Sequence, residues 1–144
     1  MIDGVKIIKL TSHEDDRGFF REVFRFPEQF DGIPVGQLSH SMVQEGVVKA
    51  WHGHVYQSQW TYVVTGQLQV ALFDNRKDST SYKELMEFVV GDEEEPSAYF
   101  FSPGVLHGYK CVKGPLQIIY VTSGVYDLED EVRFPYEFVE QNSI

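Results

Sequence analysis

Ten short apolar or alternating segments, each closed by a turn signal, recur along this 144-residue chain. They are "VKIIKL", "FFREVFRF", "VGQLSHSMV", "VVKAWHGHV", "WTYVVTG", "QLQVALFD", "KELMEFVVG", "SAYFFSPG", "GYKCV" and "LQIIYVTSGVY". Alternation sends successive side chains to opposite faces of an extended chain, so each segment reads as a strand. Many short strands at this spacing predict a sandwich or barrel. Breakers fall between them at Gly4, Gly18, "DGIPVG", Gly66, "DNRKDSTS", "GDEEEP", "SPG" and "KGP". No helical period persists beyond two turns; "PEQFDG", closed by Gly32, reads as a single turn. Eleven Phe and eight Tyr suit sheet surfaces. There is no linker or internal repeat, and the length accommodates one sizeable core. The expectation is an all-β single domain over residues 1–144.

The formal net charge of −10 argues against nucleic acid or an anionic membrane as partner, yet leaves room for a local basic pocket. Cys111 is the lone cysteine, which excludes an intrachain disulfide, fits a reducing compartment and reads as a packing residue. The opening "MIDGVKIIKL" lacks the apolar stretch of a signal peptide, and no run approaches the roughly 18 apolar residues of a membrane span, so a soluble, cytoplasmic protein is expected. The acidic run at residues 92–95 reads as a solvated loop. The segment "YDLEDEVRFPYEFVEQNSI" lacks clear period and is expected to pack along the sheet exterior or against a partner subunit.

Within "GVVKAWHGHVYQSQWTYVVTG", residues 46–66, two histidines stand two apart. On a regular strand His52 and His54 share a face with Val48 and Ala50. Imidazoles lining an interior need a partner, water or a metal, whereas on an exposed face they would be ordinary. The spacing Gly46, His52, His54, Gln59, Gly66 resembles the first cupin motif, with Gln where that family usually has Glu. "SPGVLHGYKC", carrying His107, resembles the second. The resemblance implies a double-stranded β-helix, a jelly-roll barrel with the motif residues facing inward. A metal reading would make His52, His54 and His107 nitrogen ligands with Gln59 as a weak oxygen ligand, in a set suited to zinc, iron or nickel. Gln in place of Glu removes the anionic charge that strengthens divalent binding, so the expectation is no metal and no cofactor.

A denser match runs through "DDRGFFREVF", "QLSHS", "GVVKAWH", "LFDNRKDSTSY", "SPGVLHGY" and "IYVTSGVY". Over about residues 12–130 these blocks resemble the dTDP-4-dehydrorhamnose 3,5-epimerase family, cupins that generally act without metal on nucleotide-linked 4-keto-6-deoxy sugars. The resemblance implies His52 as general base and Tyr120, thirteen residues past His107, as general acid. It implies Arg17 and Lys49 at the diphosphate or sugar, and Phe20, Glu22 and Gln37 at the nucleotide, with Ser39 replacing a usual asparagine. His54, Gln59 and His107 complete the candidate substrate contacts. The chemistry supports these residue types independently: a hydrogen next to a ketone is acidic because the charge left behind spreads onto oxygen. Inversion needs a base on one side of the ring and a proton donor on the other. Histidine titrates near neutrality, and a tyrosine hydroxyl can protonate an enolate. Strict alternation would send Lys49 to the face opposite His52 unless the strand bulges.

Three features depart from that pattern. The stretch between His52 and Gly66 is shorter, and the family's active-site lysine falls on Gln59 or Trp60. The region that supplies an aspartate to orient the catalytic histidine has no counterpart, leaving Asp127, Glu129 or Asp130 as replacements. His54 is shared instead with nucleotide-sugar 3,4-ketoisomerases and with a zinc-containing cupin domain of capsule-sugar reductases. The leading expectation is an epimerase or isomerase of a nucleotide-linked 4-keto-6-deoxy sugar. The alternatives are a ketoisomerase, a metal-dependent cupin, or a sugar-nucleotide binder without catalysis. The apolar "FFREVF" edge needs covering, which predicts a homodimer through the N-terminal strands, with Arg17 reaching toward the neighbouring pocket.

Overall fold

The computed structural model describes residues 1–26, 30 and 32–143. Its strands are β1 (Val5–Lys9), β2 (Ser12–Asp15), β3 (Gly18–Arg21), β4 (Gln37–Val43), β5 (Val48–His54), β6 (Gln59–Asp74), β7 (Leu85–Gly91), β8 (Ser97–Phe101), β9 (Val105–Thr122) and β10 (Glu131–Arg133), followed by one short helix, α1 (Glu137–Asn142). The all-β expectation holds. The turn expected over "PEQFDG" lies largely outside the described residues.

Besides the expected strand "FFREVFRF", of which β3 keeps only the residues up to Arg21, two expected breaks are absent for a physical reason. Gly66 and the "KGP" stretch do not end strands; they lie inside β6 and β9, which run on as 16- and 18-residue strands. Register shifts around Val63–Leu68 absorb the extra residues, so the glycine and proline bend the ladder instead of stopping it. Gly66 has φ +87°, and a Cβ there would meet the Lys113 carbonyl oxygen at 2.7 Å, so glycine is required.

The main sheet has eight strands in the order β1-β8-β6-β9-β5-β10, with β4 added on β9 and β7 on β6. Every ladder among the described strands is antiparallel. This is the cupin-like arrangement, with one correction: the hydrogen-bonded path has ends at β1 and β10 and does not close into a barrel. Each end strand pairs on one side only, β1 with β8 and β10 with β5. Strands β2 and β3 form a separate hairpin, fixed to the sheet where the Arg21 guanidinium donates to the Tyr62 hydroxyl at 2.7 Å.

Alternation on the long strands distributes the core. Leu68, Val70 and Leu72 of β6 enter the principal cluster with Tyr99, Phe101, Cys111 and Ile118. Trp60 enters a second with Phe30, Phe100 and Val121. Phe73 joins Trp51, Leu106 and Val139 of α1 in a third, so α1 packs on the outside of the sheet as expected, whereas the earlier part of the C-terminal segment adds β10 to the sheet and lines a cavity. Cys111 is a buried packing residue. No helix among the described residues is long and apolar enough to cross a membrane.

Candidate active site

A cavity of about 360 Å³ opens among β4, β5, β6, β9 and the segment leading into β10. The size suits a small-molecule site. Two irregularities aim side chains into it. On β5, Lys49 pairs with Tyr109 and His52 with His107, so Ala50 and Trp51 oppose the single residue Gly108 of β9: the strand bulges. Lys49, His52 and His54 therefore all line the cavity, while Ala50, expected to share the face of the two histidines, packs on the cluster around Trp51. On β9, His107 and Tyr109 point inward before the register shift and Ile118, Tyr120 and Thr122 after it. Thirteen residues on a regular strand would put His107 and Tyr120 on opposite faces; the shift restores them to one.

Gly53 separates the two histidines because its own face is occupied. A Cβ there would meet Leu106 Cδ2 at 2.7 Å and Val132 Cγ2 at 3.1 Å. That close approach lets three-residue β10 pair with β5, Glu131 opposite His54 and Arg133 opposite His52.

Carboxylates from this segment reach both histidines. Glu131 Oε1 lies 3.5 Å from His52 Nδ1 and also accepts from Arg133. Asp130 Oδ2 lies 2.8 Å from His54 Nδ1, and its Oδ1 accepts the backbone N–H groups of Tyr56 and Gln57. Of the replacements weighed for the orienting aspartate, Asp130 thus pairs with His54, Asp127 accepts the Glu129 backbone N–H at a turn, and Glu129 is exposed. The carboxylate beside His52 is Glu131. Sequence reasoning missed it and Arg133, because a three-residue strand leaves no readable period; the charged alternation of "EVR" was the only signal.

Burial pulls the pKa of His52 below its ordinary value, with nearby Arg133 adding to the effect and Glu131 opposing it. His107 is held well below the imidazole range, first by burial and then by His54 and His52. Its Nδ1 is buried with no hydrogen-bond partner among the described residues, and its ring packs on Phe101 and stacks on His54. Gln59 Oε1 lies 2.9 Å from His54 Nε2, and its amide donates to Thr61 Oγ1 at 3.1 Å. Tyr109 is pushed up to about 12, mainly by burial. Among the described residues no group of three or more His, Cys, Asp or Glu is arranged to hold a metal ion.

Gln37 also lines the cavity. Ser39 is not among the lining residues; its hydroxyl accepts the Gln37 amide at 3.0 Å, and Ser41 of the same strand lines the wall. Arg17, Phe20 and Glu22 do not reach this cavity within one chain. Arg17 sits at the β2–β3 turn, bonded to Asp15; Phe20 is 63% exposed beside His13; Glu22 pairs with Arg25.

A cupin-like sheet whose inward face gathers histidines and tyrosines around one cavity defines a class of small-molecule enzymes. Residues 1–138 match the dTDP-4-dehydrorhamnose 3,5-epimerase family, and the chain belongs to it. The chain is 42% identical over 140 residues to the spore coat polysaccharide biosynthesis protein SpsL of Bacillus subtilis, covering 95% of this chain and 91% of that protein. It is 34% identical to a probable low-salt glycan biosynthesis epimerase, Agl13, of Haloferax volcanii, covering 94% and 89%. The fold is also that of NovW, a 4-keto-6-deoxy sugar epimerase from Streptomyces spheroides, with TM-score 0.86, 23% identity, and 94% of this chain and 71% of that one covered. The RmlC epimerase of Legionella pneumophila, solved with dTDP-4-keto-L-rhamnose, gives TM-score 0.85 at 24% identity, with 94% and 74% covered.

Proposed function

We propose that this protein is a metal-independent epimerase of a nucleotide-linked, dTDP-type, 4-keto-6-deoxy sugar, with His52 as base and Tyr120 as acid. The observation that carries the reading is that both side chains line the same cavity in a member of this family. Burial keeps His52 neutral near pH 7, so it can take the hydrogen next to the ketone. Glu131 fixes the ring from the Nδ1 side and balances the charge it acquires. Tyr120 returns a proton to the opposite face. Tyr109 beside it, raised to about 12, is a poor donor at neutral pH.

Lys49 and Arg133, both at the cavity, suit charge-assisted bonds to the diphosphate despite the acidic total. Gln37, His54, Gln59 and His107 shape the sugar site, with Ser39 setting the Gln37 amide. Arg17, Phe20 and Glu22 serve as substrate contacts only if a second copy brings the β2–β3 hairpin to this cavity. The 58% and 63% exposure of Phe19 and Phe20 supports such a homodimer. We place the reaction in the cytoplasm, consistent with a lone buried thiol.

Incubation with dTDP-4-keto-6-deoxyglucose in heavy water tests the reading. Deuterium should enter at C3, C5 or both, and its absence from both carbons overturns it.

A further inference from the structure

Two groups converge on a single oxygen atom at the cavity. Glu131 and Arg133 stand two apart on β10 and so project to one side of it, opposite His54 and His52 in the β5–β10 register. Both line the cavity. Arg133 donates from Nε and Nη2 to Glu131 Oε1, at 3.2 and 3.1 Å. The same Oε1 lies 3.5 Å from His52 Nδ1, beyond the roughly 2.7–3.2 Å of a good hydrogen bond. The guanidinium thus holds the atom that would orient the proposed base.

The charges around the cavity give Arg133 a reason to move. Among the described residues lining it, the carboxylates are Asp127, Asp130 and Glu131, and the Lys and Arg side chains are Lys49 and Arg133. Asp130 is fixed by His54 and two backbone N–H groups, and Asp127 accepts at a turn. The Arg133 side chain is 71% exposed and that of Glu131 24%. An ion pair this open to water holds by no more than about fivefold, whereas a charge-assisted bond from a guanidinium to a phosphate oxygen is worth about ten- to hundredfold. An entering diphosphate wins that competition.

We propose that Arg133 changes partners when substrate binds, leaving Glu131 for the diphosphate, and that the freed carboxylate closes on His52 and fixes the ring for proton abstraction. The inference rests on the epimerase reading above and makes Arg133 a positioning residue that acts through Glu131. One exposed ion pair is broken; a bond to phosphate and one from His52 Nδ1–H to Glu131 take its place. The base is set only with a diphosphate seated, so a keto sugar lacking that group is rejected in kcat as well as in KM.

A crystal structure with dTDP tests the exchange directly. Arg133 should lie on a phosphate oxygen and Glu131 Oε1 within about 3 Å of His52 Nδ1; an unbroken Arg133–Glu131 pair overturns the proposal. Calorimetric dTDP affinities read it again through a double-mutant cycle. Glu131→Gln frees the guanidinium beforehand, so dTDP should bind about two- to fivefold more tightly, and this gain should shrink in the Arg133→Gln background, where there is no pair to break. An equal or larger gain there is plain relief of repulsion and overturns the exchange, as does no gain in either background or no binding of dTDP. Arg133→Gln alone should weaken dTDP about tenfold or more and leave thymidine unaffected, with partial rescue in Arg133→Lys. In deuterium exchange Arg133→Gln should raise KM and keep kcat within a few-fold, while Glu131→Gln should lower kcat by about 10²-fold; the reverse split overturns the positioning role. Absence of exchange in the wild-type protein overturns the epimerase reading and this kinetic role together, whereas the dTDP structure and affinities still decide the change of partners.

Discussion

At the scale of single residues, the division of labour proposed for His52 and Tyr120 can be tested by isotope. His52→Gln removes the proposed base, so deuterium exchange should fall by about 10²–10⁴-fold. Tyr120→Phe leaves the base intact: exchange from the face served by His52 should persist while inversion, followed by chromatography of the released sugar, falls by a similar factor. The pH profile follows from the burial of His52. A base works when deprotonated, so kcat/KM drops as pH falls through its pKa, and that limb should lie below the ordinary imidazole value of 6.5. Arg133 contributes to the lowering while binding the carboxylate that opposes it. Arg133→Gln should therefore move the limb to higher pH; a limb that stays put or moves down would exclude this account.

At the scale of elements, the loop joining β6 to β7 is organised by one carboxylate. Asp74, whose side chain is fully buried, accepts from Arg76, Ser79 and Ser81. Burial alone would raise its pKa, but these bonds outweigh that and hold it at about 2. A depressed carboxylate stabilises the fold fully above about pH 4 and loses that contribution as pH falls toward 2. The shift corresponds to roughly 2 kcal/mol. Asp74→Asn should lower stability by about that amount or more at pH 7 and flatten the acid side of a denaturation-midpoint profile; equal midpoints across pH 2–7 would contradict the assignment. The motif "FDNRKDST" is thus read in this structure as loop architecture, whereas the bulge in β5 and the shift in β9 are the element-scale features that aim the site.

At the scale of the whole molecule, the candidate cavity depends on a segment held from outside. Glu131 and Arg133 reach the histidines because β10 pairs with β5, and α1 clamps the same region through Val139 and Phe138 against Trp51 and Phe73. Val139→Ala should cost roughly 1–3 kcal/mol. Amide protection at Val132 and Arg133 should weaken before that of β6 or β9; uniform loss across the sheet would argue against a separately docked segment. The exposed hairpin leads to a second whole-molecule prediction. Sedimentation should give twice the 16.6 kDa chain mass, and Phe20→Asp should yield monomer with reduced exchange activity. A monomeric wild-type protein would remove Arg17, Phe20 and Glu22 from the site.

What the sequence determined by itself was whatever depends on local pattern. Period-two alternation and breakers define the strands and put His52 and His54 on one face, because side-chain direction along one strand is a local property; that Gln59 and His107 join them facing inward was implied only by the resemblance to the cupin motifs. The shared wall of His107 and Tyr120, by contrast, needs a parity change that only the β6–β9 register carries out. Lys49 enters by a bulge that its neighbours in sequence do not announce. Glu131 and Asp130 join the histidines some 75 residues earlier in the chain through a three-residue strand with no pattern of its own. Such contacts are decided by long-range ladder pairing and close packing, here at Gly53, and not by the propensities of the residues that make them.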